Sequence, residues 1–378
     1  MKALIAPDKF KDALDAAGVA EALAAGVRDA RPAAEIVVCP LGDGGEGTGR
    51  LLASALQAQE QSAAVLDPLG RQREARWWLC PDRETAVVEM AEASGLALLE
   101  VAQRDALRTT SFGTGQLLRT AQEAGRRRVL LCVGGSATVD GGAGCLQALG
   151  WKFVDHSGAT ISEPVTGGML PSIARVQSPL KAWAGSLDIL CDVDNPLLGP
   201  RGAAAVFGPQ KGATSAGVRQ LERGLAHWAD VLVRCGGMDM RALAGGGAAG
   251  GLPAGLVAAL GAHLRPGFAE VARQVGLHDK LAGCDLCLTG EGRIDDQTAG
   301  GKVVAGVARL AAEHRMPVLA FTGAARLRPG QTLEDLGRGI GVERIVVISP
   351  GDMPLPEALA ATAANLRRAA REAMAAYS

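Results

Sequence analysis

The sequence predicts an α/β protein in which a parallel sheet is assembled from both chain ends and a second α/β domain is inserted between them. Short apolar runs at residues 3–6, 36–39 and 286–288 each stop abruptly in a segment bearing carboxylates, basic residues or glycines. Such runs read as buried parallel strands that empty into a site at their carboxyl ends. At 378 residues the chain also exceeds what one hydrophobic core normally supports, so two domains are expected.

The elements follow in order. After the first strand, Leu14, Val19, Ala22, Leu23 and Val27 recur at helical spacing; the second strand spans 36–39, and an alanine-rich helix covers 48–56. Residues 72–78 and 85–90 flank Pro81-Asp82 as the arms of a hairpin. A helix at 114–124 and a strand at 129–133 lead into a long glycine-rich continuation with a further strand at 189–191. The C-terminal part returns to alternation: strand 286–288, helix 303–314, strands 318–321 and 344–348, and a closing helix 355–376. A discontinuous Rossmann-like domain, residues 1–60 and 283–378, is therefore expected to surround an inserted α/β domain at 61–282.

Composition excludes several function classes. A formal net charge of −1 gives no global field for gathering nucleic acid or an anionic membrane, and Arg126-Arg127-Arg128 reads as a solvated helix end. The eight cysteines do not suggest a disulfide framework, and the CxxC of Cys284 and Cys287 lacks a second pair or a nearby histidine for zinc. The uncharged stretch 242–264 is rich in glycine, which favours a loop plus a buried helix over a membrane span. Met1-Lys2 leads straight into a strand, so a cytoplasmic protein without a signal peptide is expected.

The chemistry concentrates in glycine loops. Residues 134–144, directly after the strand at 129–133, offer backbone amides of Gly134 and Gly135 with the hydroxyls of Ser136 and Thr138 to an anion. Asp140 there could hold magnesium or a ligand hydroxyl, or simply cap a helix. The loop has no GK[ST] ending, and no GxGxxG follows the first strand, so neither a Walker A loop nor a dinucleotide fingerprint is present. A second glycine cluster, 245–251, also precedes a helix. Asp192 and Asn195 follow the strand at 189–191, Ser111 precedes a helix, and Lys211 sits on what reads as an exposed turn. The five histidines lie far from these motifs, so carboxylates, lysines and backbone amides must do the chemistry. That inventory suits phosphoryl transfer, which needs positioning and charge neutralisation.

Nine motifs standing in order along the chain resemble those of the bacterial glycerate kinase family, of the glycerate 2-kinase type. They are APDKFK from Ala6, DGGEGT from Asp43, EMAEASGL from Glu89, TTSFGTG from Thr109, GGSATVDGG from Gly134, CDVDNPL from Cys191, FGPQKGA from Phe207, GAAGG from Gly247 and TGEGRID from Thr289. The resemblance implies ATP-dependent phosphorylation of D-glycerate with magnesium, giving 2-phosphoglycerate, in a two-domain fold whose active site lies in the interdomain cleft. Lys9 stands where many members have serine, Val139 where asparagine is common and Phe112 where arginine can occur.

On that basis Asp43 or Asp192 is expected to orient or deprotonate the attacking hydroxyl, with Lys11 and Arg293 as cations for the glycerate carboxylate. Asp8, Ser111 and Asn195 are expected to complete the substrate site. Gly134, Gly135, Ser136, Thr138, Gly246, Gly247, Gly250 and Lys211 are expected to hold the nucleotide, and Glu291 and Asp295 the magnesium. The alternatives are a 3-phosphate product, another small hydroxy acid, or a non-catalytic small-molecule binding protein. A monomer and a homodimer are both compatible with the sequence.

Overall fold

The structure, a computed structural model, describes residues 1–180, 183–295, 298, 303–351 and 353–377. The chain opens with β1 (Lys2–Ile5), α1 (Ala16–Ala30) and β2 (Glu35–Val38). There follow α2 (Thr48–Ala55), β3 (Gln59–Leu66), β4 (Gln72–Leu79), β5 (Thr85–Glu89), α3 (Ala91–Ser94), α4 (Phe112–Glu123), β6 (Arg128–Cys132) and α5 (Ala143–Ala148). Next come β7 (Lys152–Asp155), β8 (Ile173–Gln177), β9 (Ser186–Leu190), α6 (Ala203–Phe207), α7 (Ser215–Arg234), α8 (Leu252–Leu260) and β10 (His263–Arg265). The chain ends with α9 (Gly267–Gln274), α10 (Leu277–Leu281), β11 (Leu286–Ile294), α11 (Val303–Glu313), β12 (Val318–Ala325), α12 (Leu333–Ile340), β13 (Arg344–Val347), α13 (Leu355–Ala360) and α14 (Thr362–Ala375).

Two compact units result: Met1–Asp43 with Gly267–Ser378, and Gly44–Pro266. The divisions fall earlier in the chain than the positions near 60 and 283 expected from the sequence. Packing explains the difference. Helix α2 lies against β5 and β6, whereas α9 lies against α11, with the Phe268 ring filling the space beside Gly306.

In the first unit five parallel strands run in the order β13-β12-β11-β1-β2. Counted within the unit this is 2-1-3-4-5, the flavodoxin-like variant of a doubly wound sheet, and the order reverses between β1 and β11. Right-handed crossovers put α1 and α11 on opposite faces, because one connection moves left and the other right. Helices α1 and α14 share a face over a core of Ala3, Ile5, Leu286, Leu288, Leu319 and Phe321. Gly26 permits that approach, since a Cβ there would overlap the Arg367 carbonyl.

One sequence expectation needs correction here. The strand expected to stop at 288 continues to Ile294, so TGEGRI is strand and not loop, with Asp295 just beyond its end. β12 supplies the partner: pairing holds one register from Cys287↔Val318 to Ile294↔Ala325, beyond the point where β1 has ended.

The second unit carries a six-stranded sheet, β10-β9-β6-β5-β4-β3, parallel from β10 to β5 and antiparallel at β4 and β3. The expected hairpin is β4–β5, closed by Cys80 N–H donating to the Thr85 carbonyl at 2.9 Å. Strand β3 went unread because Gln-Glu-Gln-Ser-Ala-Ala holds few β-formers, and pairing with β4 overrides that weak propensity. The core gathers around Trp228, which stacks on Phe153 at 5.6 Å and donates through Nε1 to the Gly141 carbonyl at 3.0 Å. The glycine-rich stretch 242–264 contains α8, and among the described residues no helix is long and apolar enough to cross a membrane. The closing helix expected over 355–376 is two helices, α13 and α14, meeting at Ala361.

Candidate active site

In the first unit the switch point gathers acid groups at strand carboxyl ends, where open α/β sheets bind ligands. Asp8 follows β1 and is 8% exposed; its N–H donates to the Gly290 carbonyl at 2.8 Å, and its Oδ1 accepts the Lys9 N–H at 2.7 Å. Burial pushes the Asp8 carboxyl up to about 8, the Asp43 carboxylate adds to the rise, Lys9 opposes it and Glu291 contributes last. Asp8, Asp43 and Glu291 thus feel one another across the ends of β1, β2 and β11. The Lys11 backbone N lies 3.3 Å from where a Cβ on Gly292 would sit, which brings the APDKFK and TGEGRID segments together.

The strand form of TGEGRI decides which side chains share a face. Glu291 and Arg293 are two apart and project together, with Gly292 between them pointing away. Glu291 is buried, and its Oε1 accepts the Thr298 hydroxyl at 2.7 Å. Thr298 Oγ1 also accepts the Asp295 N–H at 3.2 Å, so one threonine ties the two carboxylate residues together. Arg293 stays exposed, with its Nε 3.4 Å from Asp295 Oδ2. Among the described residues no cluster of three metal-ligating side chains occurs, and all eight cysteines are free thiols.

In the second unit the ends of β5, β6 and β9 carry the polar groups. Segment 44–46 is threaded between the last two: Gly44 packs on the Leu190 carbonyl, and a Cβ on Gly134 would overlap the Gly45 backbone. Gly135 adopts φ +70°, and a Cβ there would come within 2.8 Å of Glu46 Oε2. Gly134 is therefore required by close backbone approach and Gly135 by its left-handed backbone. The loop is also stitched to residues 94–96, with Leu96 N–H donating to the Gly135 carbonyl at 2.7 Å and Ala137 N–H to the Ser94 carbonyl at 2.9 Å. Ser136 keeps 7% exposure, while Thr138 is fully buried. Asp192 is half-buried just beyond β9.

Several expected ligands have other work. Ser111 is fully buried; its N–H and hydroxyl both donate to Asp140 Oδ2 at 2.7 Å, and its Oγ accepts the Cys145 N–H. Asp140 also accepts from the Gly142 and Gly144 amides, so it braces the turn into α5. Asn195 Nδ2 donates to the Arg201 carbonyl at 2.7 Å, a local loop contact. Gly246, Gly247 and Gly250 are buried in the core: a Cβ on Gly247 would overlap the Pro196 carbonyl, and one on Gly250 the Thr138 carbonyl. That cluster packs backbone against backbone. Lys211, expected on an exposed turn, is 2% exposed beneath residues 134–138.

The family model described as Glycerate kinase family matches residues 3–378. The chain belongs to the glycerate kinase family. It is 41% identical over 371 residues to the glycerate kinase of Halalkalibacterium halodurans, covering 97% of this chain and 96% of that one. It is 40% identical over 378 residues to the glycerate 2-kinase of Escherichia coli K12, covering 98% and 96%. A solved structure assigned as glycerate kinase 2 from Salmonella typhimurium LT2 superposes with a TM-score of 0.81 at 40% identity, covering 99% of this chain and 97% of that one.

Within the family pattern the departures find physical places. Val139 is fully buried in the second core. Phe112 is the first residue of α4. Sequence reading assigned no role to Glu89 of EMAEASGL. Helix α2 begins at Gly47 with no capping side chain of its own, and the buried Glu89 accepts the Gly47 N–H and, at 3.1 Å, the Gly49 N–H. The signal for it was the missing cap: a helix that starts on glycine leaves orphan amides that something must satisfy.

Proposed function

We propose that this family member transfers the γ-phosphoryl group of ATP to D-glycerate, making 2-phosphoglycerate with magnesium. The single observation that carries the reading is the full-length match to glycerate kinases by a chain whose strand ends bear both a carboxylate set and a glycine loop. Gly134, Gly135 and Ser136 are assigned to the triphosphate, where the Gly135 amide and the Ser136 hydroxyl can meet anionic oxygens, the Gly134 N–H being donated to the Gly44 carbonyl at 3.3 Å. Arg293 and Lys11 are assigned to the glycerate carboxylate; both are exposed, and an arginine fork suits a carboxylate bidentately.

Magnesium fits the donor set of the first unit. Glu291 and Asp295 are buried carboxylates tied through Thr298, and a phosphate-bound magnesium needs only one or two such hard oxygen donors beside its waters. When bound, the ion neutralises charge on the transferring phosphoryl group. Asp43 and Asp192 are assigned to the acceptor hydroxyl, as base or as the carboxylate that aims it. Asp8, held neutral near pH 7, is assigned as a hydrogen-bond donor to substrate oxygen.

The test is ADP release in a coupled assay that depends on D-glycerate and magnesium, with Asp43→Asn and Asp192→Asn alongside. The reading expects one of the two variants to lose turnover by roughly a hundredfold or more while its KM for ATP changes little. No glycerate-dependent ADP release from the wild-type protein would refute it.

A further inference from the structure

Lys211 lies on the short turn from Pro209 to Gly212, and that turn delivers its side chain inward. Its N–H donates to the Gly208 carbonyl at 3.0 Å, and Gly212, at φ +88°, packs so closely on the Arg104 carbonyl that no Cβ would fit. The ammonium Nζ donates to Ser136 Oγ at 2.7 Å and to the Thr138 carbonyl at 2.8 Å. It therefore grips both ends of the Ser136–Ala137–Thr138 tripeptide from below.

The polarity of those bonds matters. An ammonium has three donors and no acceptor, so both partners must accept. Ser136 Oγ is thereby committed as an acceptor toward the lysine, and its hydroxyl hydrogen must point elsewhere. Ser136 retains slight exposure at the mouth of the loop, directly after Gly134 and Gly135. An amine-free environment would leave that hydroxyl to rotate freely.

We propose that Lys211 is a positioning residue for nucleotide binding: it holds residues 134–138 from beneath and commits the Ser136 hydroxyl to donate to a phosphate oxygen. The inference rests on the triphosphate role assigned to that loop above, and it replaces the direct nucleotide contact expected of Lys211 from the sequence. The buried position favours it, because a side chain 2% exposed and engaged on two loop atoms acts through the loop. Burial lowers the Lys211 ammonium to about 7, with the buried Asp140 carboxylate opposing the fall.

The experiment is a double-mutant cycle on the full chain with Mg-ATP, measuring Kd by calorimetry and KM for both substrates. Lys211→Met should weaken ATP binding about 10- to 100-fold, as expected for losing hydrogen bonds from a charged donor, and leave KM for glycerate within about twofold. Ser136→Ala should weaken it about tenfold, and the double variant should be no worse than Lys211→Met alone, because the two residues act as one unit. Wild-type ATP affinity in folded Lys211→Met, or effects that simply multiply, would overturn the proposal. Should Lys211→Met fail to fold, Ser136→Ala decides: unchanged ATP affinity in that variant overturns it. A wild-type protein that binds no ATP would remove the parent reading as well, whereas normal binding with silent variants removes this inference alone.

Discussion

Asp8 shares the end of the first unit's sheet with Asp43, and burial together with that neighbouring carboxylate holds the Asp8 carboxyl up to about 8. The usual value is 3.8, so the folded state binds a proton that the unfolded chain has released over the interval between. Stability from this group is fully present below 3.8 and is lost as pH rises toward 8. In chelator-treated protein, the urea midpoint of the wild type should fall relative to Asp8→Asn as pH is raised from about 4 to about 8. A difference between the two that does not change with pH would show that Asp8 ionises normally.

Glu89 caps α2 from the end of β5, an arrangement that no local cap duplicates. Glu89→Ala should cost about 1–3 kcal/mol in chemical denaturation, because two helix-end amides lose a charged acceptor in a buried setting. Glu89→Gln should recover part of the loss. Equal stability of all three proteins would contradict the capping role.

Gly247 distinguishes packing from phosphate binding. Gly247→Ala places a methyl group against the Pro196 carbonyl, so thermal unfolding should fall markedly, by the equivalent of about 2 kcal/mol or more. KM for ATP in the folded fraction should stay near wild type. A stable protein with weakened ATP binding would restore the cradle reading of residues 245–251.

Arg293 is exposed, and its ion pair with Asp295 spans 3.4 Å, so it contributes little to stability. Arg293→Ala should leave the unfolding free energy within about 0.5 kcal/mol of wild type. KM for glycerate should rise roughly 10- to 100-fold, the cost of leaving a substrate carboxylate without its partner. An unchanged KM for glycerate would remove Arg293 from the substrate site.

These residues also mark what could be read from the chain in advance. Strands β1 and β6 were legible because apolar runs of buried strands need no partner to be recognised; β2 showed the same apolar run although it is an edge strand with no buried residue. The extension of β11 through Gly290, Glu291 and Arg293 was not, because those residues form strand only through pairing with β12, more than twenty residues further on. Glycine clusters 134–135 and 245–251 look alike in composition. They differ in what lies against them: segment 44–46 for one, the Pro196 and Thr138 carbonyls for the other. Lys211 read as a nucleotide ligand on an exposed turn because its acceptors, Ser136 and Thr138, are distant in sequence. Side-chain chemistry was visible; long-range partners were not.

Phosphoryl transfer to the C2 hydroxyl of D-glycerate can be read from NMR of the product formed with Mg-ATP. Phosphorus should couple to the C2 proton. Coupling to the C3 methylene protons, or no phosphorylated glycerate at all, would contradict it.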